Sequence, residues 1–270
     1  MNVDLNGVSI FVGQGSMPWR EGQRTLLLQH GAGMDRTMWV LLARYFARYG
    51  FNVITADLPE HGASKGKTLT SIEAMAEHIW SLVDLLRAEH GLPTSPVILG
   101  GHSMGSLIAV EAAAHRVDEV EQLVLFGTGY PMTVGKPLLD AAEANSQMAV
   151  DMIASFGHAY GSQLGHNPVA GISVVNSAKA LLERSAPGVL HNDLKACNDY
   201  TTAQEAAKAF AGKPCTLITG TADRMTPNKA AKNLASLLNA KVVELSNCGH
   251  MLLSEQPEAT LQAVKKALLT

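Results

Sequence analysis

The chain has 270 residues, of which 47% are hydrophobic and 17% charged. This length and composition fit one large domain, or one domain that carries an insertion, and exclude disordered and collagen-like chains. Its 21 basic and 24 acidic residues give a formal net charge of -3, so no broad positive field would attract nucleic acid or an acidic membrane. We therefore expect the partner to be a small molecule.

Three cysteines, Cys197, Cys215 and Cys248, are too few and too scattered to indicate a disulfide framework or a zinc site. The first 24 residues mix polar and apolar side chains and lack the continuous apolar stretch of a secretory signal. No segment has the apolar length of a membrane span. We expect a cytoplasmic protein without stable membrane insertion, present as a monomer or a homodimer.

Short apolar runs alternate with helix-length amphipathic segments along most of the chain. In chain order, the pattern predicts a strand at 8–12, a buried strand at 25–30, a helix at 35–49, a strand at 51–56, a long helix at 72–90, a buried strand at 96–100, a helix from Met104, strands at 122–126, 215–219 and 241–245, and a closing helix at 258–269. This alternation is typical of βαβ units. It predicts the α/β class, with a mostly parallel central sheet flanked by helices.

The strand rhythm stops between Phe126 and Cys215, where helix-like segments continue at 137–156, 173–184 and 204–210. This stretch is too long for a plain loop. We predict that residues 130–208 form a helical insertion over the sheet, and that 1–129 and 209–270 form the core. Met148, Met152, Ile153 and Phe156 recur at helical spacing in the insertion. Two roles are open for them: packing within the insertion, which is the usual one, and lining a pocket.

The most informative motif is Gly101-His102-Ser103-Met104-Gly105, a GxSxG pattern between a predicted strand and a predicted helix. A sharp turn there presents the Ser103 hydroxyl above the sheet, and the flanking glycines let strand and helix approach closely. Residues 62–66 match the same pattern around Ser64, but no strand precedes them and no helix follows immediately. We interpret Ser64 as a loop serine and Ser103 as the candidate nucleophile.

A serine hydroxyl is a weak nucleophile unless an imidazole removes its proton and a carboxylate orients that imidazole. Asp223 and His250 each follow a predicted strand near the C-terminus, at the sheet edge where open α/β sheets build their sites. Alternative roles remain open: Asp223 as a helix cap with Asp57 or Glu244 as the carboxylate, His250 as a structural histidine, and Ser103 as a small turn residue. His30 and His61 are expected to brace their turns, and His102 to pack or hydrogen-bond below Ser103.

The order Ser103, Asp223, His250 is the one expected of an α/β-hydrolase triad. With HGAG at 30–33, DLPEHGAS at 57–64 and GHSMG at 101–105, the sequence resembles the α/β-hydrolase superfamily along nearly its whole length. Within it, the sequence is similar to monoacylglycerol lipases and carboxylesterases, although Glu60 stands where the family usually has Gly. The resemblance implies the α/β-hydrolase fold with a helical cap. It also implies an oxyanion hole made by the backbone N–H groups of Ala32 and Met104, with Gly33 as the second choice for the loop donor.

These residues predict a serine hydrolase that cleaves a carboxylic ester of a small or medium, mostly neutral substrate through an acyl-enzyme on Ser103. Thioesterase, carbon–carbon bond hydrolase and acyltransferase activities remain open, as does a non-catalytic binding protein. Candidate substrate-binding residues are Gly31, Gly33, Met148, Met152 and Met251. No cofactor or metal is expected, because the sequence has no GxGxxG after a strand and no HExxH, and residues 62–68 have the wrong spacing for a phosphate loop.

Overall fold

The structure, a computed structural model, describes residues 1–269. Eight strands form one sheet in the order β1-β2-β4-β3-β5-β6-β7-β8. Their bounds are β1 (Asn2–Leu5), β2 (Val8–Gly13), β3 (Arg24–Gln29), β4 (Phe51–Ala56), β5 (Val97–His102), β6 (Val120–Phe126), β7 (Cys215–Gly220) and β8 (Lys241–Leu245). The pairs that involve β2 are antiparallel and all others are parallel. The predicted α/β class with a mostly parallel sheet is therefore confirmed.

An N-terminal hairpin is the part of the sheet that the sequence prediction missed. The chain pairs β1 with β2 across a two-residue turn at Asn6 and Gly7, which have φ values of 56° and 81°. Positive φ at both central positions is the type I′ geometry that an Asn-Gly dipeptide favours. The Asn-Gly dipeptide indicates such a turn, although the apolar pattern predicts only the second strand.

Helices cover both faces of the sheet. Their bounds are α1 (Val40–Arg48), α2 (Ile72–Glu89), α3 (Met104–His115), α4 (Lys136–Glu143), α5 (Gln147–Gly157), α6 (Tyr160–Gln163), α7 (Val174–Leu182), α8 (Val189–Asp199), α9 (Ala203–Phe210), α10 (Asn228–Leu238), α11 (Leu252–Glu255) and α12 (Pro257–Leu269). The helix predicted at 35–49 begins instead as a 3₁₀ turn (Arg36–Trp39) capped by the Asp35 carboxylate. Within residues 1–269, no helix combines the length and apolar character needed to cross a bilayer.

The two faces of the sheet build two apolar cores, because successive side chains of a strand point to opposite sides. On β3, Leu27 packs in one core with residues of α2, α3, α9 and α10, while Leu26 and Leu28 pack in the other with α1 and α12. Residues 104–113 of α3 are buried on every side, which suits a helix that lies at the centre of the fold. The start of this helix is thereby held rigidly at the carboxyl end of β5.

Most of the helices between β6 and β7 lie over the carboxyl ends of the strands. Side chains from α4, α5, α7 and α8 form a third apolar cluster together with Met34 and Met251, which belong to loops after β3 and β8. In contrast, α9 packs against α3 and α10, and its apolar residues belong to the main core. The expected boundary at 208 falls inside this last helix.

Candidate active site

Ser103 occupies a strained turn between β5 and α3. Its φ and ψ are 52° and -118°, and a positive φ is uncommon for a residue other than glycine. A Cβ atom on Gly101 would lie 2.0 Å from the carbonyl oxygen of Gly105, and one on Gly105 would lie 2.2 Å from that of Gln29. Only glycine fits at these two positions, so the close strand–helix approach that the motif predicts is present.

Asp223 and His250 meet at the same edge of the sheet, in the loops after β7 and β8. His250 donates a hydrogen bond from Nδ1 to Asp223 Oδ2 at 2.9 Å, and both residues are buried. Asp223 also accepts the N–H groups of Met225 and Thr226, each at 2.8 Å, and the Thr226 hydroxyl at 2.7 Å. The Asp223 carboxylate therefore stabilises the turn in which it lies and also orients His250.

Asp223 is held in its charged form by these contacts. Burial alone would raise its pKa, but the charge and hydrogen bond of His250 and the hydrogen bonds of Thr226 outweigh burial and lower the pKa of Asp223 below its usual value. A charged acceptor at Nδ1 keeps the proton of a neutral imidazole on that nitrogen. The other nitrogen, Nε2, is then available as a base.

The end of β6 connects Ser103 to His250. The Ser103 N–H donates to the Phe126 carbonyl at 2.9 Å, and a Cβ atom on the next residue, Gly127, would lie 3.0 Å from His250 Nδ1. Within residues 1–269, the side-chain hydrogen bonds include none between Ser103 and His250. The backbone at the end of β6 thus contacts both residues, and catalytic hydrogen bonds are often long before substrate binds.

The loop after β3 contains Ala32 and Gly33, the two residues considered from the sequence as the loop donor. The N–H of Met34 bonds to the Gly31 carbonyl and closes a turn in which Gly33 has a φ of 62°. Gly33 donates its own N–H to Asp193 at 2.9 Å. Among the hydrogen bonds of residues 1–269, none uses the N–H of Ala32 or of Met104. The second-choice donor, Gly33, is therefore already engaged.

Two cavities flank the turn at Ser103. One, of about 270 Å³, is lined by Ser103, Ala32 and Thr226 with mostly apolar neighbours, among them Met152 and Leu194. A larger one, of about 520 Å³, lies between α1, α7 and α11, and is lined by His102 and Met251 with apolar residues of these helices. Both volumes are in or near the range that suits small organic ligands.

Of the five candidate substrate-binding residues, two line these cavities, whereas Gly31, Gly33 and Met148 line neither. Met152 lines the cavity at Ser103, and Met251 lines the larger one. Gly31 packs against His102, whose Nδ1 would lie 2.9 Å from a Cβ atom there. The side chain of Met148 is 59% exposed, and neither cavity includes it. Among residues that the sequence did not indicate, Leu194 and Met225 line the cavity at Ser103.

The other histidines and carboxylates of the motifs have structural partners. His30 accepts the N–H of Leu58 at Nε2 and contacts the Gly31 carbonyl through Nδ1. Burial and the nearby charge of His61 lower the pKa of His30 to about 4. Asp57 is ion-paired with Arg36 and accepts the N–H of Ala63. This carboxylate is thus used in the turn and not at His250.

Ser64 and Glu244 are likewise placed away from the reaction centre. The Ser64 hydroxyl accepts the N–H of Phe11 and donates to the Asp57 carbonyl, so it braces a loop. Glu244 lies exposed on β8. Of the three carboxylates considered from the sequence, only Asp223 contacts His250.

Comparison with known proteins shows that the sequence is similar to hydrolases. A sequence model described as the alpha/beta hydrolase family matches residues 26–263. A pimeloyl-[acyl-carrier protein] methyl ester esterase from Aromatoleum aromaticum is 31% identical over 252 residues, which cover 86% of this chain and 93% of that protein. A monoglyceride lipase from Rattus norvegicus is 25% identical over 251 residues, or 87% and 78% of the two chains.

The fold is also shared with solved structures. The enol-lactonase from Burkholderia xenovorans LB400 superimposes over the whole of both chains with a TM-score of 0.84, at 21% sequence identity. At this level of identity the likeness concerns the fold alone.

Proposed function

Because the chain belongs to the alpha/beta hydrolase family, we propose that it hydrolyses a carboxylic ester through an acyl-enzyme on Ser103. The observation that carries the proposal is the buried Asp223–His250 hydrogen bond of 2.9 Å, next to a serine held in a strained turn. The relatives named as a methyl ester esterase and a monoglyceride lipase support an esterase-type hydrolase.

The proposed reaction begins when His250 Nε2 takes the hydroxyl proton of Ser103 and the oxygen attacks the acyl carbon. The N–H groups of Ala32 and Met104 stabilise the oxyanion, because they lie on a fixed loop and at a helix start and, among residues 1–269, have no other hydrogen-bond partner. His250 returns its proton to the leaving alcohol, and a covalent ester on Ser103 remains. Water, deprotonated by His250, then attacks this ester, the acid is released, and His250 returns the proton to Ser103 Oγ.

The lining of the cavity at Ser103 favours a neutral substrate. Two arginines lie close in the sequence to the candidate site residues, where each could bind a substrate carboxylate. Arg224 lines this cavity, but it donates to the carbonyls of Ser155 and His158, and Arg36 pairs with Asp57. With both cations engaged and the lining mainly apolar, we propose a small or medium, mostly neutral ester.

An ester and thioester panel across acyl lengths, run on the wild type and on Ser103→Ala, tests this function. We expect turnover of simple aryl esters, lost in the variant, and covalent labelling of the wild type by a serine-reactive phosphonate. Absence of both turnover and labelling would contradict the proposal. Preference for thioesters would indicate a thioesterase, and transfer to an added alcohol would indicate an acyltransferase. Labelling without turnover of any panel member would favour a binding protein.

We further propose that the part of residues 130–208 that precedes α9 acts as a cap over Ser103, since Met152 and Leu194 line its cavity, whereas α9 packs in the main core. A cytoplasmic location is also proposed. Cys197, Cys215 and Cys248 are free. Free cysteines are the usual state in a reducing compartment, where disulfides are rare.

A further inference from the structure

A carboxylate of the helical segment between β6 and β7 reaches the loop that carries the oxyanion donors. Asp193, on α8, has no solvent-exposed surface. Its Oδ2 accepts the N–H of Gly33 at 2.9 Å and faces His61 Nε2 at 2.8 Å. A buried carboxylate is costly unless its charge is paired and hydrogen-bonded. Asp193 therefore needs both partners.

His61 supplies the compensating positive charge. Its Nδ1 lies 3.0 Å from the Pro59 carbonyl and its Nε2 lies 2.8 Å from Asp193, so each ring nitrogen faces an acceptor. Only an imidazolium can donate from both nitrogens. Burial by itself disfavours that form, but the charge and hydrogen bond of Asp193 prevail and raise the pKa of His61 above its usual value. The two residues thus form a buried ion pair between α8 and the turn after β4.

The same segment fixes both peptide groups of Gly33. Asp193 holds its N–H, and the Ser185 hydroxyl donates to its carbonyl oxygen at 2.6 Å. Leu182 and Leu190 pack against its Cα, so that a Cβ atom there would lie 2.8 Å from Leu190 Cδ1. The backbone of the loop beside Ala32 is therefore held by the helical segment and not by the sheet alone.

We propose that Asp193, paired with His61, is a positioning residue for the oxyanion hole. It binds the Gly33 N–H and fixes the peptide between residues 32 and 33, which leaves the neighbouring Ala32 N–H as the loop donor to the reaction centre. Asp193 does not touch the substrate in this role. The inference rests on the proposed function, because it concerns the oxyanion that forms when Ser103 attacks the ester.

Asp193→Ala and Asp193→Asn distinguish the role of the side-chain oxygen that accepts the Gly33 N–H from other roles of the side chain. Complete removal of an oxyanion donor costs about 10²–10³ in kcat, so misplacing one in Asp193→Ala should cost about 10- to 100-fold, with KM nearly unchanged. Asp193→Asn keeps an acceptor oxygen for Gly33 and should retain most of the activity. Thermal unfolding shows whether each variant is folded at the assay temperature.

A trifluoromethyl ketone gives a readout that a purely structural role would not move. Ser103 Oγ adds to its carbonyl carbon, the hydroxyl proton passes to His250, and the former carbonyl oxygen becomes an anion in the oxyanion hole. In Asp193→Ala its Ki should rise by about the factor by which kcat/KM falls, because both depend on stabilising an oxyanion. Substrate KM should stay close to the wild-type value.

Ser185→Ala keeps the inference testable if Asp193→Ala does not fold. It removes the other hydrogen bond to Gly33 without leaving a buried charge, and should lower kcat by about threefold to tenfold. Tyr200→Phe is the matched control. It removes a hydrogen bond from the same segment to Glu111 on α3, away from the oxyanion loop, and should leave kcat and the ketone Ki unchanged.

The outcomes distinguish this inference from the proposed function. A wild type without turnover or phosphonate labelling would overturn both. An active wild type whose folded Asp193→Ala and Ser185→Ala variants keep kcat and Ki would overturn only the positioning role. A folded Asp193→Asn as impaired as Asp193→Ala would also count against it, because the acceptor oxygen would then not be the feature that matters.

Discussion

His102 donates a hydrogen bond from Nε2 to the backbone carbonyl of His250 at 2.9 Å, with the two ring centroids 4.7 Å apart. Burial, and then the nearby charge of His250, lower the pKa of His102 to about 3, so it is a neutral imidazole whose single proton lies on Nε2. The residue before the candidate nucleophile thus fixes the loop that carries the candidate base.

His102→Phe should lower kcat by about tenfold with little change in KM, because loss of the donor lets the His250 loop shift relative to Ser103. His102→Gln, which can still donate to the His250 carbonyl, should recover most of this loss. Steady-state kinetics on an aryl ester provide the measurement. Equal activity of the wild type and a folded His102→Phe would show that the hydrogen bond does not position His250.

Asp223→Asn should reduce turnover by about 10⁴ while the fold persists, by analogy with other triads in which the amide stabilises the wrong imidazole tautomer. The turn should survive because the amide oxygen can still accept the N–H groups of Met225 and Thr226 that Asp223 now accepts. The comparison is kcat of the variant against the wild type, with circular dichroism as the control for folding. A rate near that of the wild type would assign the carboxylate role to another residue.

The sequence was sufficient for the sheet and for the residues at its edge, because both depend on local patterns. Apolar runs of five or six residues predicted seven of the eight strands of the sheet, and glycine spacing identified the turn at Ser103. Residues after strand ends could be expected to converge, since parallel strands end at one edge. The Asp223–His250 contact follows from this rule.

The helical segment could not be predicted in the same detail, because its contacts are non-local. The Asp193 carboxylate is 160 residues from Gly33 and 132 residues from His61 in the chain, and no spacing relates them. The residues next to Asp193 in the sequence indicate only that it lies on the polar face of a helix. Likewise, nothing in the sequence shows that Met148 is exposed whereas Met152, four residues later on the same helix, lines the cavity at Ser103.

Gly105→Ala should destabilise the protein strongly, although alanine is the better helix former. Propensity would favour alanine inside α3 by about 1 kcal/mol, but its Cβ would lie 2.2 Å from the Gln29 carbonyl oxygen and 2.6 Å from that of His30. Relief of this overlap requires backbone movement, which we expect to cost about 3 kcal/mol or more. Urea unfolding measures the difference in free energy.

Gly135→Ala is the control for this prediction. A Cβ atom on Gly135 would have its nearest contact with Pro137 Cδ at 3.9 Å, so its unfolding free energy should change little. A Gly105→Ala protein as stable as the wild type would mean that strand and helix can separate without cost, and would remove the steric reason for glycine at this position.

Stability should fall on acidification between about pH 6.5 and pH 4, because four histidines with lowered pKa values, His30, His78, His102 and His158, are neutral in the fold. The pKa of His30 is lowered to about 4 and that of His102 to about 3, against about 6.5 in the unfolded chain. In this window the unfolded state binds more protons than the folded state. Each of these histidines therefore contributes stability above pH 6.5, and this stability is lost as the pH falls towards the pKa in the folded state. The slope is at most about 1.4 kcal/mol per pH unit for each histidine.

His61 acts in the opposite direction, since its raised pKa gives stability that is present below pH 6.5 and is lost as the pH rises through its folded pKa. Urea unfolding at pH 7, 5.5 and 4.5 should therefore show a shallower loss of stability in acid for His30→Gln than for the wild type, because one of the neutral histidines is gone. His166→Gln, at an exposed position, should leave the slope unchanged. Parallel pH profiles for His30→Gln and the wild type would mean that His30 takes up its proton equally in both states.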